Sequence, residues 1–198
     1  RVDDGSSCMD FEPEEQKRHV SITSANNFFD WNKCKVNIVD TPGDSNFSFD
    51  TQNCLRIVDG AVVVVDAVGG VEFQTQKVWE YADEYKLPRI IFINRMDRER
   101  ADFFKALASI DEKIKVKTTP LYLPIGKEDG FKGLIDLLNM KACLFEGPKG
   151  ACKMEEIPAD LADEANQYRE TLVEDIAETD EALMEQYLDA GELGQDDL

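Results

Sequence analysis

The spacing of apolar positions changes several times along the chain. Ala61–Asp66 and Arg89–Asn94 are continuous apolar runs, the pattern of parallel strands covered on both faces. Val20–Ile22 and Val36–Val39 read as two further strand cores, the second ending at Asp40. Between the two long runs, Val71, Thr75, Val78, Trp79, Ala82 and Tyr85 recur at helical spacing, and Pro88 ends that helix. Beyond Asn94, Phe103, Phe104, Leu107, Ile110 and Ile114 fall on one face of another helix. Strands alternating with helices predict an α/β domain with a mainly parallel sheet.

From about Lys115 the pattern shortens. Pro120–Ile125, Gly130–Leu138 and Met140–Phe145 read as short strands and a short helix, and Gly147, Pro148 and Gly150 as a turn. A strongly acidic helix follows over Asp160–Glu178. Its inner face carries Leu161, Ala165, Tyr168, Leu172 and Ile176, and its outer face carries Asp163, Gln167, Glu170 and Glu174. A shorter helix over Asp180–Leu188 precedes a polar tail.

Composition narrows the function classes. The 198 residues are 42% hydrophobic and 32% charged, as in ordinary globular domains. No apolar run reaches the ~18–20 residues that cross a bilayer. The five cysteines, Cys8, Cys34, Cys54, Cys143 and Cys152, are scattered without a C-x-x-C pair, and there is one histidine. This reads as reduced, cytoplasmic thiols with no zinc site and no disulfide framework. A net charge of −19 repels phosphate backbones, so direct nucleic-acid binding by this piece is not expected. An acidic face can still meet a basic protein, although most such carboxylates serve only solubility.

Two motifs carry candidate chemistry. Asp40-Thr41-Pro42-Gly43 closes a strand, where α/β sheets bind ligands, and Gly43 lets a backbone N–H approach a phosphate with no Cβ in the way. The same tetrapeptide is also a good β-turn. Asn94-Arg95-Met96-Asp97 closes a later strand. A carboxylate there accepts from guanine N1–H and the exocyclic amine, the asparagine binds the base, and a cationic stem covers the ring. A polar loop with an aspartate N-cap is the alternative. Trp31 and Trp79 read as packing residues, and His19 as an exposed loop residue.

The chain resembles elongation factor G. The resemblance rests on Met9-Asp10, Arg18 to Ala25, Asp40-Thr41-Pro42-Gly43, Asp66 to Val71, Asn94 to Arg98, Ala101-Asp102-Phe103-Phe104, Leu123 to Gly126 and Ile157 to Leu161. It implies an incomplete P-loop GTPase-type core over 1–116 and a small α+β inserted subdomain over 117–198. In that reading Asp40, Thr41, Pro42, Gly43, Asn94, Arg95, Met96 and Asp97 bind nucleotide. Ser21 and Asp40 serve Mg²⁺, and the Gly43 amide senses the γ-phosphate.

Departures from the family pattern matter as much. The G-x-x-x-x-G-K-[ST] loop and the last guanine-contacting motif are absent from these residues. His19 stands where the first switch has glycine, and Arg95 where lysine is usual. Asp44 occupies the position of the catalytic histidine, the residue that orients the attacking water. These features are closer to the divergent second elongation factor G of some bacteria.

GTP or GDP and Mg²⁺ are therefore expected in the intact protein and not in this fragment. The expected partners are the ribosome, through other domains, and the basic stalk protein of the large subunit, through the acidic helix. Two alternatives remain open. One is a nucleotide-independent protein-binding module; the other is a translation GTPase of the ribosome-protection or release-factor kind, against which Ala101–Phe104 and the inserted subdomain weigh.

Overall fold

The computed structural model describes residues 7–147, 151–195 and 197–198. The chain forms two compact units, the first running to Asn94 and the second from Arg95.

In the first unit, a short helix α1 (Pro13–Arg18) leads to an antiparallel hairpin of β1 (Ala25–Trp31) and β2 (Cys34–Asp40). Its two-residue turn places Asn32 and Lys33 at φ 47° and 66°. This left-handed pair matches the twist of a tight hairpin. A turn this short cannot carry a parallel crossover.

Helix α2 (Ser48–Cys54) and strand β3 (Ala61–Asp66) follow, then helix α3 (Phe73–Glu84) and strand β4 (Arg89–Asn94). Strands β3 and β4 are parallel and pair Ala61 with Arg89 through to Asp66 with Asn94. Arg89 fixes the start of β4 to α3. It donates to the Trp79 carbonyl at 3.1 Å and to Asp83 at 2.7 Å, and its guanidinium lies 4.4 Å from the Trp79 ring centroid.

The sequence expectations fare unequally here. Strands β3 and β4 and helix α3 fall where the apolar runs and helical spacing put them. Val20–Ile22 is not a strand; the extended element begins at Ala25. The reason is local, because the N–H groups of Ile22 and Thr23 bond to the Glu15 carboxylate instead of a neighbouring strand. Among the described residues, β3 and β4 form a parallel two-stranded sheet of their own, as the apolar runs predict, and the other pairings are antiparallel and belong to separate sheets. The two parallel strands are not covered on both faces. Val63 and Val65 are buried, but Val62, Val64, Ile90 and Phe92 are each more than half exposed.

In the second unit, α4 (Phe103–Lys113) precedes a four-stranded antiparallel sheet in chain order. Its strands are β5 (Tyr122–Ile125), β6 (Gly133–Asp136), β7 (Lys141–Glu146) and β8 (Ala151–Glu155). Among the described residues no α-helix interrupts them; the short helix expected there is a 3₁₀ turn over Glu128–Gly130. Gly126, at φ 81°, makes the bend before it, and a Cβ there would lie 2.0 Å from the Gly130 carbonyl oxygen.

Helix α5 (Ala162–Ala177) covers one sheet face, burying Ala165 and Leu172 against Leu123, Ile125, Ile135, Leu137 and Ala142. Leu161, Tyr168 and Ile176 pack at the margin, while Asp163, Gln167, Glu170 and Glu174 are exposed, as their spacing requires. Arg169 ties the helix to the sheet by donating to the carbonyls of Leu137 and Leu138 at 2.7 and 2.9 Å. Asp175 holds Lys117 and Thr119. Burial pushes its carboxyl up, but those two donors outweigh it and leave the group below the usual range. Helix α6 (Glu181–Ala190) closes on Gly191 in the left-handed conformation.

The expectation of five reduced cysteines is corrected. Cys143 on β7 and Cys152 on β8 form a disulfide, with Cα atoms 5.4 Å apart. Antiparallel pairing of Cys143 with Met154 and Phe145 with Cys152 puts both side chains on one sheet face, which spacing alone does not reveal. Cys8, Cys34 and Cys54 are free thiols. Pro148 and Gly150, part of the expected turn, lie outside the described residues.

Candidate functional site

The Asp40-Thr41-Pro42-Gly43 segment leaves the end of β2 and is held from below. Pro42 is buried, and Thr51 of α2 donates its hydroxyl to the Pro42 carbonyl at 3.1 Å. A Cβ built on Gly43 would meet nothing within 4 Å, so packing within the chain does not require glycine there. Asp44 caps the 3₁₀ turn Ser45–Phe47. Its carboxylate accepts from the Asn46 N–H at 2.9 Å and from the Asn46 side-chain amide at 2.8 Å.

Asp40 sits among like charges. Partial desolvation is the largest influence on its carboxyl, followed by the negative charge of Asp10. Together with Glu15 they push it above its ordinary value, against the Thr41 N–H. Ser21 joins the same group, since its hydroxyl donates to Asp10 at 2.7 Å. The structure thus brings Ser21 and Asp40 into one acidic neighbourhood through the buried Asp10.

Glu15 organises this neighbourhood. It is buried and accepts from the N–H of Ile22 at 2.8 Å, from Thr23 through both N–H and hydroxyl, and from the Glu12 N–H at 3.0 Å. The Thr23 N–H contributes most, and the set lowers its pKa to about 2 despite burial. Sequence reasoning missed Asp10, Glu15 and Thr51. The one available signal was a Glu12-x-x-Glu15 spacing at a Pro13 helix start, which resembles a capping box.

The second motif begins at the end of β4. Asn94 is opposite Asp66, and its carbonyl accepts from the Ala67 N–H at 2.9 Å. Asp66 in turn accepts from the N–H groups of Val68 and Gly69. In the second unit, Arg95 takes the left-handed conformation at φ 62°, Met96 is buried, and the Met96 carbonyl accepts from the Glu128 N–H at 3.0 Å. Buried Met96 therefore anchors a loop on which Arg95 and Asp97 are exposed.

The sequence profile of the family described as "Elongation factor Tu GTP binding domain" matches residues 1–190. The chain belongs to that family. The chain is an α/β protein, and the family it belongs to is one of GTP-binding domains. The crystal structure of ttk003000868 from Thermus thermophilus resembles it at TM-score 0.88 and 28% identity. The likeness covers 98% of this chain and 28% of that one, so these residues span little more than a quarter of that relative. No helix among the described residues is long and apolar enough to cross a membrane.

The site's donors suit Mg²⁺ in kind, being carboxylate and hydroxyl oxygens. Among the described residues no three His, Cys, Asp or Glu side chains converge as a metal cage.

The depressed Glu15 carboxyl gives a pH prediction with a definite sign. A carboxyl lowered from 4.5 to about 2 contributes stability that is full above 4.5 and lost as pH falls toward 2. Glu15→Gln should cost about 2 kcal/mol at pH 7, the scale of hydrogen bonds to a charged group. It should also reduce the drop in melting temperature between pH 5 and pH 2. Melting curves of both proteins across that range check this; parallel acid profiles would show that Glu15 does not carry the effect.

Proposed function

We propose that the chain is part of a ribosome-associated translation GTPase similar to elongation factor G, of the divergent second type, working in the cytoplasm. The observation that carries this reading is the pair of strand-end motifs, Asp40-Thr41-Pro42-Gly43 and Asn94-Arg95-Met96-Asp97, in a GTP-binding-domain family member. Residues 1–116 form the GTPase core and residues 117–198 the inserted subdomain.

Asn94 and Asp97 read guanine, with Arg95 lying over the base. The exposed position of Arg95 and Asp97 on a loop anchored by Met96 supports this. The Gly43 N–H approaches the γ-phosphate, consistent with a glycine that packing does not demand. Asp40 and Ser21 bind Mg²⁺, which when bound supplies positive charge to the phosphates. The acidic surroundings of Asp40 support a cation there.

As 198 residues alone, the chain should hold nucleotide poorly. It contains no G-x-x-x-x-G-K-[ST] loop, whose N–H groups and lysine give phosphates most of their grip. Guanine hydrogen bonds worth ~1 kcal/mol each leave a Kd above about 0.1 mM. Titration with a fluorescent GDP analogue measures it, and a sub-micromolar Kd would overturn this assignment of the binding energy.

Asp44 should slow hydrolysis in the full-length protein relative to histidine. Two like charges ~5 Å apart at an effective dielectric of ~20 repel by roughly 3 kcal/mol, enough for orders of magnitude in rate. The expected outcome is faster single-turnover GTP hydrolysis on ribosomes for Asp44→His, despite loss of the cap on Ser45–Phe47. An equal or slower rate, in a variant that melts like wild type, would make Asp44 a water-positioning group instead.

The second reading, a protein-binding module, is favoured by the exposed acids of α5. Its outer face docks a basic surface, that of the stalk protein of the large ribosomal subunit. Replacing Glu170 and Glu174 with Lys should weaken stalk binding far more than the same charge change at Asp3 and Asp4. Added salt should weaken it too, since exposed charges are screened beyond ~10 Å at 0.1 M. Equal losses in the two double variants would leave only net charge at work.

A further inference from the structure

The geometry points to Cys143 and Cys152 as a reversible thiol–disulfide pair that controls the attachment of the edge strand β8 to its sheet. Three observations carry this. First, β8 is the last strand of the sheet and, among the described residues, pairs on one side only, with β7. Second, Ala151, Cys152, Lys153 and Met154 are all exposed and Glu155 is half-buried, so side-chain packing adds little to the ladder. Third, the disulfide is the one side-chain covalent link among the described residues between β7 and β8, and it spans nine positions of sequence.

The bond is also open to attack. Cys152 is exposed and Cys143 half-buried, on the sheet face that bears Met154, whose sulfur lies 3.5 Å from Cys152 Sγ. A thiolate of an external dithiol can therefore attack Cys152 Sγ. A mixed disulfide forms, and the Cys143 sulfur leaves with the electron pair and takes a proton. The second thiol of the reductant then attacks its own mixed-disulfide sulfur and releases Cys152 as a thiolate. The protein gains two thiols as the dithiol becomes a cyclic disulfide, and exchange with that oxidised form remakes the link.

The other cysteines do not compete for this bond within the same sheet. Cys8, Cys34 and Cys54 lie in the first unit, and Cys54 donates to the Ser24 hydroxyl oxygen at 3.3 Å. Helix α5 is held separately, through the Arg169 bonds and the Leu172 contact, so opening affects the sheet edge and leaves α5 in place.

The test uses the 198-residue chain equilibrated without denaturant in mixtures of reduced and oxidised dithiothreitol. Free thiols are alkylated, peptides are mapped without reduction, and amide exchange is read in parallel. Cys143 and Cys152 should be linked in the oxidised mixture and alkylated in the reduced one, with Cys8, Cys34 and Cys54 alkylated in both. Amides of 151–155 should exchange at least about tenfold faster once the bond is reduced, with α5 unchanged. The C143S/C152S variant should behave like the reduced chain in both mixtures. The proposal falls if the link fails to form, if it forms with another cysteine, or if it survives reductant until denaturant is added. It falls equally if 151–155 exchanges at one rate in both states.

Discussion

A carboxylate taken out of water stays ionised only when donors replace its hydration, and the region around Asp40 is built on that constraint. Glu15 meets it with backbone N–H groups from two directions, its own helix start and the segment entering β1. Those bonds fix where α1 starts and keep residues 22 and 23 out of a sheet, beside Ser21 on Asp10. Charge then accumulates, because Glu15 and Asp10 both act on Asp40. The neighbourhood is thus rigid through Glu15 and electrostatically strained at Asp40. An arrangement of that kind favours a cation more than another acid.

The second unit depends on a different balance. Its sheet is covered on one face by α5 through small and branched side chains, and the helix is located by a few directional bonds. Arg169 reads the two carbonyls after β6, and Asp175 fastens the segment at Lys117 and Thr119. The buried and outer faces of α5 therefore have separate duties. Asp175 does structural work, and among the outward acids Glu174 also accepts from the Tyr187 hydroxyl of α6 at 3.4 Å.

Much of the architecture was legible in the sequence because strong periodicity and real burial coincided. Helices α4 and α5 are of this kind, whereas β3, β4 and α3 were legible from their apolar runs and spacing although they bury little. The failures have physical causes. Asn26, Asn27 and Asp30 interrupt the apolar signal of β1, so the neighbouring Val20–Ile22 looked more strand-like while its amides were committed to a side chain. Strand β8 is short and almost wholly exposed, so its sequence carries little burial signal. The strand-end motifs were visible as local words, but their supports were not. Thr51 holds Pro42 from another helix, and Asp10 reaches Asp40 only through the fold. The disulfide was invisible for the same reason, since strand register and not spacing joins Cys143 to Cys152.

The bare face of the parallel pair has a colloidal meaning. Val62, Val64, Ile90 and Phe92 together form an apolar panel that two copies of the chain would tend to share. What opposes that tendency is long-range and nonspecific, namely the mutual repulsion of molecules carrying −19. The two forces differ in range and in their response to ions. Salt shortens the repulsion to about a nanometre while leaving the attraction between apolar surfaces in place. Solubility of this polypeptide is accordingly a property of its solvent as much as of its fold, and its acidic surface acts as a spacer between sticky panels.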